Sequence, residues 1–103
     1  MQEWQEHELN AAIQSKGNFC VFLYTPMCGT CQLASRILSI SLELYPVVTC
    51  GKMNLNFLRH FPRQYEIESV PCLLVFKNGN LQNKIYAFHS VPYICDILKH
   101  VSR

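Results

Sequence analysis

Residues 19–25, Phe-Cys-Val-Phe-Leu-Tyr-Thr, form an unbroken run of apolar, aromatic and β-branched residues that Pro26 ends. A strand with one solvated face alternates apolar and polar residues, whereas a continuous run is typical of a strand covered on both faces. Such a strand must lie inside the protein. The sequence therefore predicts a sheet with packed layers on both sides.

Helical and strand-like segments alternate along the rest of the chain. Apolar residues at helical spacing predict helices over residues 6–16, 33–44 and 91–101, and Ser90 is the expected N-cap of the last one. A shorter helix is predicted over residues 57–65, although Pro62 falls inside it. Further strands are predicted over residues 47–50, continuing into 52–55, and over residues 72–76 and 81–88. The predicted order is helix, strand, helix, strand, helix, two strands and helix.

Two kinds of connection join these strands. Helical crossovers make successive strands parallel, whereas the turn Lys77-Asn78-Gly79-Asn80 requires an antiparallel hairpin. The predicted fold class is α/β, with a mixed central sheet of about four strands, room for a short fifth, and helices on both faces. Because no linker or internal repeat interrupts the pattern, we expect residues 1–103 to form a single domain.

The charge pattern and the apolar runs exclude two classes of partner. Nine Lys and Arg residues against seven Asp and Glu give a net charge of +2, and these charges are scattered, so no nucleic-acid partner is expected. The longest apolar runs, residues 20–24 and 71–76, are far shorter than the roughly 20 residues of a membrane span. The polar, acidic start of the chain is unlike a secretory signal. A cytoplasmic monomer without membrane contact is therefore predicted.

Among six cysteines, only Cys28 and Cys31 have a spacing that itself indicates chemistry. They follow a strand and precede a helix, so Cys28 is expected in the first turn of that helix, where free N–H groups and the helix dipole stabilise an anion. Because a thiolate is the form that attacks a disulfide, Cys28 is the expected nucleophile. Cys31, one turn further on, is then the resolving thiol that releases the substrate. Gly29 and Thr30 are small and leave room for a docked protein.

A Cys-x-x-Cys pair can also be half of a zinc site. The other half would be a second cysteine pair or a histidine pair at short spacing, and the sequence has none. Redox use is therefore the favoured interpretation. The alternative is a metal-binding or redox-sensing module that uses Cys28 and Cys31, with or without Cys72. The histidines are single: His7, His60, His89 and His100.

Residues 21–31, 52–56 and 69–79 carry a resemblance to a known family in both order and spacing. They include Thr-Pro-Met-Cys-Gly-Thr-Cys, Lys-Met-Asn-Leu-Asn and Ser-Val-Pro-Cys-Leu-Leu-Val-Phe. The chain resembles the thioredoxin family over nearly its whole length. This resemblance implies a thioredoxin-like fold and a protein-disulfide oxidoreductase with no metal and no cofactor beyond the redox-active disulfide Cys28–Cys31. It also implies protein disulfides as substrates and a reductase, or another dithiol, as the electron donor.

The same resemblance assigns the docking residues. Pro71 would be a cis-proline that faces the dithiol, and the backbone of Val70 would pair with an extended substrate peptide. Met27, Gly29 and Thr30 would complete the docking surface.

Cys72, directly after Pro71, is a thiol that most relatives of this family lack at that position. Strand alternation does not settle which way it points next to a cis-proline. It is either a small core residue or a third thiol beside the dithiol. Cys20, Cys50 and Cys95 lie in strand-like or helix-like surroundings and are expected in the core.

The chain departs from the family pattern at several positions. Met27 and Thr30 stand where the family has Trp and Pro, and Phe22 stands where it has a buried acid that accepts a proton from the second cysteine. The lysine that neighbours this acid is retained as Lys52, either as an accessory residue that shifts a pKa or as a solvated strand-end lysine. These departures predict a less reducing dithiol.

Two rival functions remain at this point. A glutaredoxin-like enzyme would carry paired glycines and an acidic residue after the hairpin, and residues 81–90 have neither. A partner-binding adaptor of the same fold would lose nothing when Cys28 is replaced.

Overall fold

The computed structural model describes residues 1–102 and has a mixed five-stranded sheet between two layers of helices. The sheet order is β1-β3-β2-β4-β5, with β3 parallel to β1 and β2, and β4 antiparallel to β2 and β5. The strands are β1 (Gln2–Glu3), β2 (Phe19–Tyr24), β3 (Thr49–Asn54), β4 (Cys72–Lys77) and β5 (Asn80–Ile85). The helices are α1 (Glu6–Gln14), α2 (Gly29–Leu44), α3 (Phe61–Gln64) and α4 (Val91–Val101). The predicted α/β class with helices on both faces is confirmed.

Strand β2 lies at the centre of the sheet and is buried on both faces, as its apolar run predicts. Its even-numbered side chains, Cys20 and Phe22, belong to the core cluster that α2 and α4 cover. Its odd-numbered side chains, including Val21 and Leu23, belong to the cluster that α1 and α3 cover. Alternation along β2 therefore decides which residues lie beneath α2, the helix that begins after the dithiol.

The short fifth strand is β1, in which Glu3 pairs with Lys52 of β3. Trp4 extends this contact, because its backbone N–H donates to the carbonyl of Lys52 over 2.8 Å. The Trp4 ring lies directly over Gly51, where an added Cβ would overlap it. Because β3 has a glycine at this position, the Trp4 ring of the N-terminal segment can pack directly against the strand.

Several predicted boundaries were wrong. Strand β3 begins at Thr49 rather than residue 47 and runs through Gly51 without interruption. The helix predicted over residues 57–65 is a 3₁₀ turn, Leu55–Phe57, followed by the short helix α3, because Pro62 fits only in a first helical turn. Strand β5 ends at Ile85 rather than residue 88, and α1 ends at Gln14 rather than residue 16.

The predicted hairpin turn and the predicted N-cap of the last helix are confirmed. Asn78 and Gly79 connect β4 to β5 with φ values of 54° and 79°, and two positive φ angles are the signature of a type I′ turn. The Ser90 side chain caps α4 by accepting a hydrogen bond from the Tyr93 backbone N–H over 3.2 Å.

Candidate active site

The dithiol lies at the start of α2, where Cys28 and Cys31 form a disulfide with a Cα–Cα distance of 5.1 Å. The prediction that Cys28 occupies the first helical turn was wrong by one residue: the helix begins at Gly29, and Cys28 is its N-cap with extended backbone angles. Cys28 is half-buried, whereas Cys31 is only 4% exposed. An incoming protein therefore meets Cys28 before Cys31.

Two donors face the Cys28 sulfur. The Cys31 backbone N–H donates to Cys28 Sγ over 3.2 Å, and Thr30 Oγ1 lies 3.4 Å from the same atom. A disulfide sulfur carries no proton, so the Thr30 hydroxyl is the donor in this contact. Hydrogen bonds of this kind favour the thiolate over the thiol once the disulfide is reduced.

A groove of about 440 Å³ lies next to Thr30, the residue between Gly29 and Cys31, and separates the start of α2 from the loops that precede β4 and follow β5. The Val70–Pro71 peptide bond is cis, as the resemblance implies, and Pro71 faces Thr30 across this groove. Phe88 and His89 also line the groove. Neither was a candidate site residue from the sequence. Their position at the end of the last predicted strand could have indicated that they lie near the site.

The remaining docking candidates surround the disulfide differently. The Met27 side chain is 99% exposed, and nothing lies within 4 Å of the position that a Cβ on Gly29 would occupy. The Val70 side chain is half-buried and packs against the core cluster on the opposite side of the sheet from α2. The docking roles of Met27, Gly29, Thr30, Val70 and Pro71 stay predictions.

A second cavity, of about 210 Å³, borders the dithiol itself. Cys28 and Cys31 form part of its wall, and Phe22, Tyr24 and Lys52 of the sheet lie opposite them. Lys52 is half-buried and lines the same cavity as the dithiol, and its accessory role stays a prediction. Among the described residues 1–102, no carboxylate lines this cavity. Phe22, 2% exposed, fills the site where the resemblance leads one to expect an acid.

Tyr24 also lines this cavity, and it was not a candidate site residue from the sequence. Its hydroxyl donates to Glu3 Oε1 over 2.7 Å, and the Lys52 Nζ atom lies 5.8 Å from the centre of its ring. Burial raises the pKa of Tyr24 to about 12, and the hydrogen bond to Glu3 and the charge of that carboxylate act in the same direction. Tyr24 lies two residues after Phe22 in β2. Strand alternation could therefore have predicted that both side chains lie on the face of the sheet that α2 covers.

The open question about Cys72 is answered by its position in β4. Cys72 is fully buried in the core cluster beneath α1, whereas the dithiol helix α2 covers the opposite face of the sheet. Burial raises the pKa of its thiol to about 11, an effect that the contact with Tyr86 and the charge of Lys84 oppose. Within residues 1–102, no three His, Cys, Asp or Glu side chains are grouped closely enough to hold a metal ion. The three-thiol site of the alternative interpretation is therefore not formed.

Of the other free cysteines, Cys20 belongs to the core cluster beneath α2 and Cys50 packs against it, whereas Cys95 lies in neither core cluster, contrary to the prediction. Cys20 and Cys50 are direct neighbours in the β2–β3 register, and burial raises the pKa of both thiols, that of Cys50 to about 12. Cys95 is half-buried on α4. In the described part of the chain, no helix has the length and apolar character to span a membrane.

The family model described as Thioredoxin matches residues 1–99 of the chain. Thioredoxin-like protein YusE of Bacillus subtilis (strain 168) is 45% identical over 102 residues, which cover 99% of this chain and 94% of that protein. Thioredoxin of Chlamydia pneumoniae is 28% identical over 87 residues, covering 84% and 85% of the two chains.

Solved structures agree with the fold. Mitochondrial thioredoxin 3 from Saccharomyces cerevisiae, in its oxidized form, superposes with a TM-score of 0.82 at 19% identity, covering 97% of this chain and 94% of that one. Chloroplastic thioredoxin z gives a TM-score of 0.83 at 18% identity, covering 98% and 93%.

Proposed function

The chain belongs to the thioredoxin family, and from this premise we propose that it is a thiol–disulfide oxidoreductase that exchanges its Cys28–Cys31 dithiol with the disulfides of proteins. One observation carries the proposal: a half-buried Cys28 that caps a helix is paired with a buried Cys31, beside a groove that contains a cis-proline. Such exchange requires an accessible nucleophile and a sheltered resolving thiol.

The proposed reaction has two steps. The Cys28 thiolate attacks one sulfur of a substrate disulfide, forming a mixed disulfide and releasing the other substrate sulfur as a thiolate, which takes a proton from solvent. Cys31 then loses its proton and attacks Cys28 Sγ. The Cys28–substrate bond breaks as the Cys28–Cys31 bond forms, so the substrate gains two electrons and the dithiol loses two.

Substrate docking in this proposal uses the groove beside Thr30 and Pro71. An extended peptide would lie against the backbone of Val70 and Pro71, and the exposed Met27 side chain and the open space at Gly29 would border it. Main-chain pairing with an extended peptide tolerates many sequences, which suits an enzyme with several protein substrates.

The remaining requirements follow from the chemistry. The electrons reside on the two sulfurs, so no further cofactor is proposed, and a reductase or another dithiol must regenerate the reduced form. Cys20, Cys50, Cys72 and Cys95 are free thiols, which is in keeping with a reducing compartment such as the cytoplasm. We propose that the protein acts there as a monomer.

The test is reduction of a protein disulfide, such as insulin, with dithiothreitol as the electron donor. We expect turnover by the unaltered protein, loss of turnover in Cys28→Ser, and accumulation of a mixed disulfide in Cys31→Ser. Cys95→Ser, at a free thiol outside the site, is the matched control and should keep full activity. Absence of turnover, or stoichiometric zinc that Cys28→Ser loses, would contradict the proposed function in favour of an adaptor or a metal-binding module.

A further inference from the structure

Helix α2 has apolar side chains on two faces. One face, with Ala34 and Leu38, belongs to the core cluster that covers the sheet. On the other face, Leu33, Ile40 and Leu44 are 60%, 45% and 63% exposed. A surface helix normally has polar or charged residues away from its buried face, and a continuous exposed apolar surface is typical of a protein–protein contact. The second face therefore indicates a surface that another polypeptide covers.

The exposed apolar residues have the spacing at which two helices pack side by side. Leu33, Ile37, Ile40 and Leu44 follow one another in steps of four, three and four residues, so they lie in one narrow line along α2. Alternating steps of three and four are the heptad spacing of paired helices. Ile37 is half-buried and connects this line to the core. We call these four residues the α2 stripe.

The charges of α2 favour a second copy of the same helix as the partner. The charged residues of this helix are Arg36 and Glu43, which are both exposed and lie along the same side of the stripe. When two copies pack antiparallel about the middle of the stripe, Arg36 of each copy lies beside Glu43 of the other. The result is two equivalent ion pairs related by a two-fold axis, as in a symmetric dimer. A parallel pair would bring these charges beside Ala34 and Ser41, which carry no charge.

The antiparallel arrangement also matches the apolar residues. Ile37 of one copy meets Ile40 of the other, and Leu33 meets Leu44, so every side chain of the stripe has an apolar partner. Leu33 and Ile37 in addition line the groove beside Thr30. A second copy on the stripe therefore covers the α2 side of the proposed docking groove.

We propose that the α2 stripe is a self-association surface, on which a second copy of this chain packs its own α2 in antiparallel orientation with Arg36 and Glu43 paired across the contact. The stripe is about 17 Å long, so the interface is small and the dimer is reversible. The docking groove is open in the monomer, which is the form that acts on protein disulfides. The effect on the groove rests on the proposed function, whereas the association itself does not.

The first test is sedimentation velocity in dithiothreitol, which excludes disulfide-linked dimers. Protein concentrations from about 10 μM to about 1 mM cover the affinities of a small reversible interface. We expect the sedimentation coefficient of the unaltered protein to rise toward that of a dimer. Ile40→Glu places a carboxylate in the middle of the stripe and should raise the dissociation constant by about tenfold or more. Ser39→Glu adds the same charge at an exposed neighbour outside the stripe and should leave the dissociation constant unchanged.

Charge exchange tests the antiparallel orientation. Arg36→Glu and Glu43→Arg each bring like charges together and should weaken association by about three- to tenfold. The double variant Arg36→Glu/Glu43→Arg exchanges the signs of both pairs and should associate like the unaltered protein. The two single variants, when mixed, should associate with each other more tightly than either does alone. A double variant as weak as the single variants would show that the antiparallel pairing is wrong.

A second readout connects the surface to the groove. Insulin reduction per molecule should fall as the concentration of the unaltered protein rises through its dissociation constant, and it should stay constant in Ile40→Glu. A dimer that keeps full activity per molecule would overturn the covering of the groove. A monomer at every concentration, or an Ile40→Glu variant that associates like the unaltered protein, would overturn the self-association surface. Sedimentation requires no turnover, so failure of the proposed function would instead appear as absence of insulin reduction at any concentration.

Discussion

The Cys31 backbone N–H donates a hydrogen bond to Cys28 Sγ over 3.2 Å, so the proposed nucleophile caps the helix that carries its resolving partner. An N-cap acceptor normally is an oxygen of Ser, Thr, Asp or Asn, and here a sulfur takes that place. The contact favours negative charge on Cys28 because the N–H belongs to the positive end of α2. The same geometry therefore serves both helix formation and thiolate stability.

Removal of the Thr30 hydroxyl should weaken the Cys28 thiolate. Thr30→Val keeps the shape of the side chain and loses the donor that lies 3.4 Å from Cys28 Sγ. We expect the Cys28 pKa to rise by about 0.5 to 1 pH unit, because a hydrogen bond to a charged group is lost. Thr30→Ser is the control and should restore the pKa. The ultraviolet absorbance of the thiolate as a function of pH measures both, and equal values in the two variants would contradict the assignment of Thr30 as donor.

The reduction potential of the Cys28–Cys31 couple should be less negative than the value of about −270 mV given for thioredoxin. Donors to Cys28 Sγ stabilise the reduced form, and the pair lacks both a proline at Thr30 and an acid at Phe22. Equilibration with glutathione redox buffers gives this potential. A value at or below that of thioredoxin would show that neither departure weakens the reducing power of the dithiol.

Gly51→Ala should destabilise the protein through the N-terminal segment. The added Cβ would overlap the Trp4 ring, so the ring would have to move away from β3. We expect the free energy of unfolding to fall by about 1 to 3 kcal/mol, the usual effect of overpacking. Gly29→Ala, at a glycine with open space around it, should leave stability unchanged. Chemical denaturation of the two variants tests this, and similar stabilities would mean that Trp4 does not rest on Gly51 in solution.

Stability should decline above about pH 9 because buried thiols resist ionisation in the folded state. Burial raises the pKa of Cys72 from 9.0 to about 11. A group whose folded pKa is raised stabilises the protein fully below its unfolded pKa, and this contribution is lost as pH rises toward the folded pKa. Between pH 9 and 11 the free energy of unfolding should therefore fall with pH.

The Cys72→Ala variant isolates that contribution. Its free energy of unfolding should fall less steeply over this interval, by about 1.4 kcal/mol per pH unit for one proton. Leu74→Ala removes a neighbouring buried side chain that does not titrate, so it should lower stability without changing the slope. Denaturation curves at several pH values supply the slopes, and identical slopes for Cys72→Ala and the unaltered protein would contradict the raised pKa.

Much of the fold and the centre of the site could be predicted from local patterns. The apolar run of β2 is long enough to indicate burial on both faces, and the Asn78-Gly79 pair specifies its turn, because both features depend on neighbouring residues alone. The position of Cys28 and Cys31 between a strand and a helix likewise indicated the dithiol. Boundaries were less predictable, since Pro62 limits a helix without fixing where it starts.

The side of the sheet on which each residue acts was decided by the tertiary structure. Cys72 directly follows Pro71 in sequence, yet its side chain lies in the cluster beneath α1 and away from the dithiol. Glu3 is far from Cys31 in sequence. Once β1 has paired with β3, Glu3 accepts a hydrogen bond from Tyr24, which lines the cavity that contains Cys31. The sequence by itself determined the dithiol, the sheet class and the helix order, because local periodicity and turn chemistry encode them. Only the tertiary structure decided which side chains share a cavity with Cys31, because strand register and the packing of α2 bring together residues that are distant in sequence.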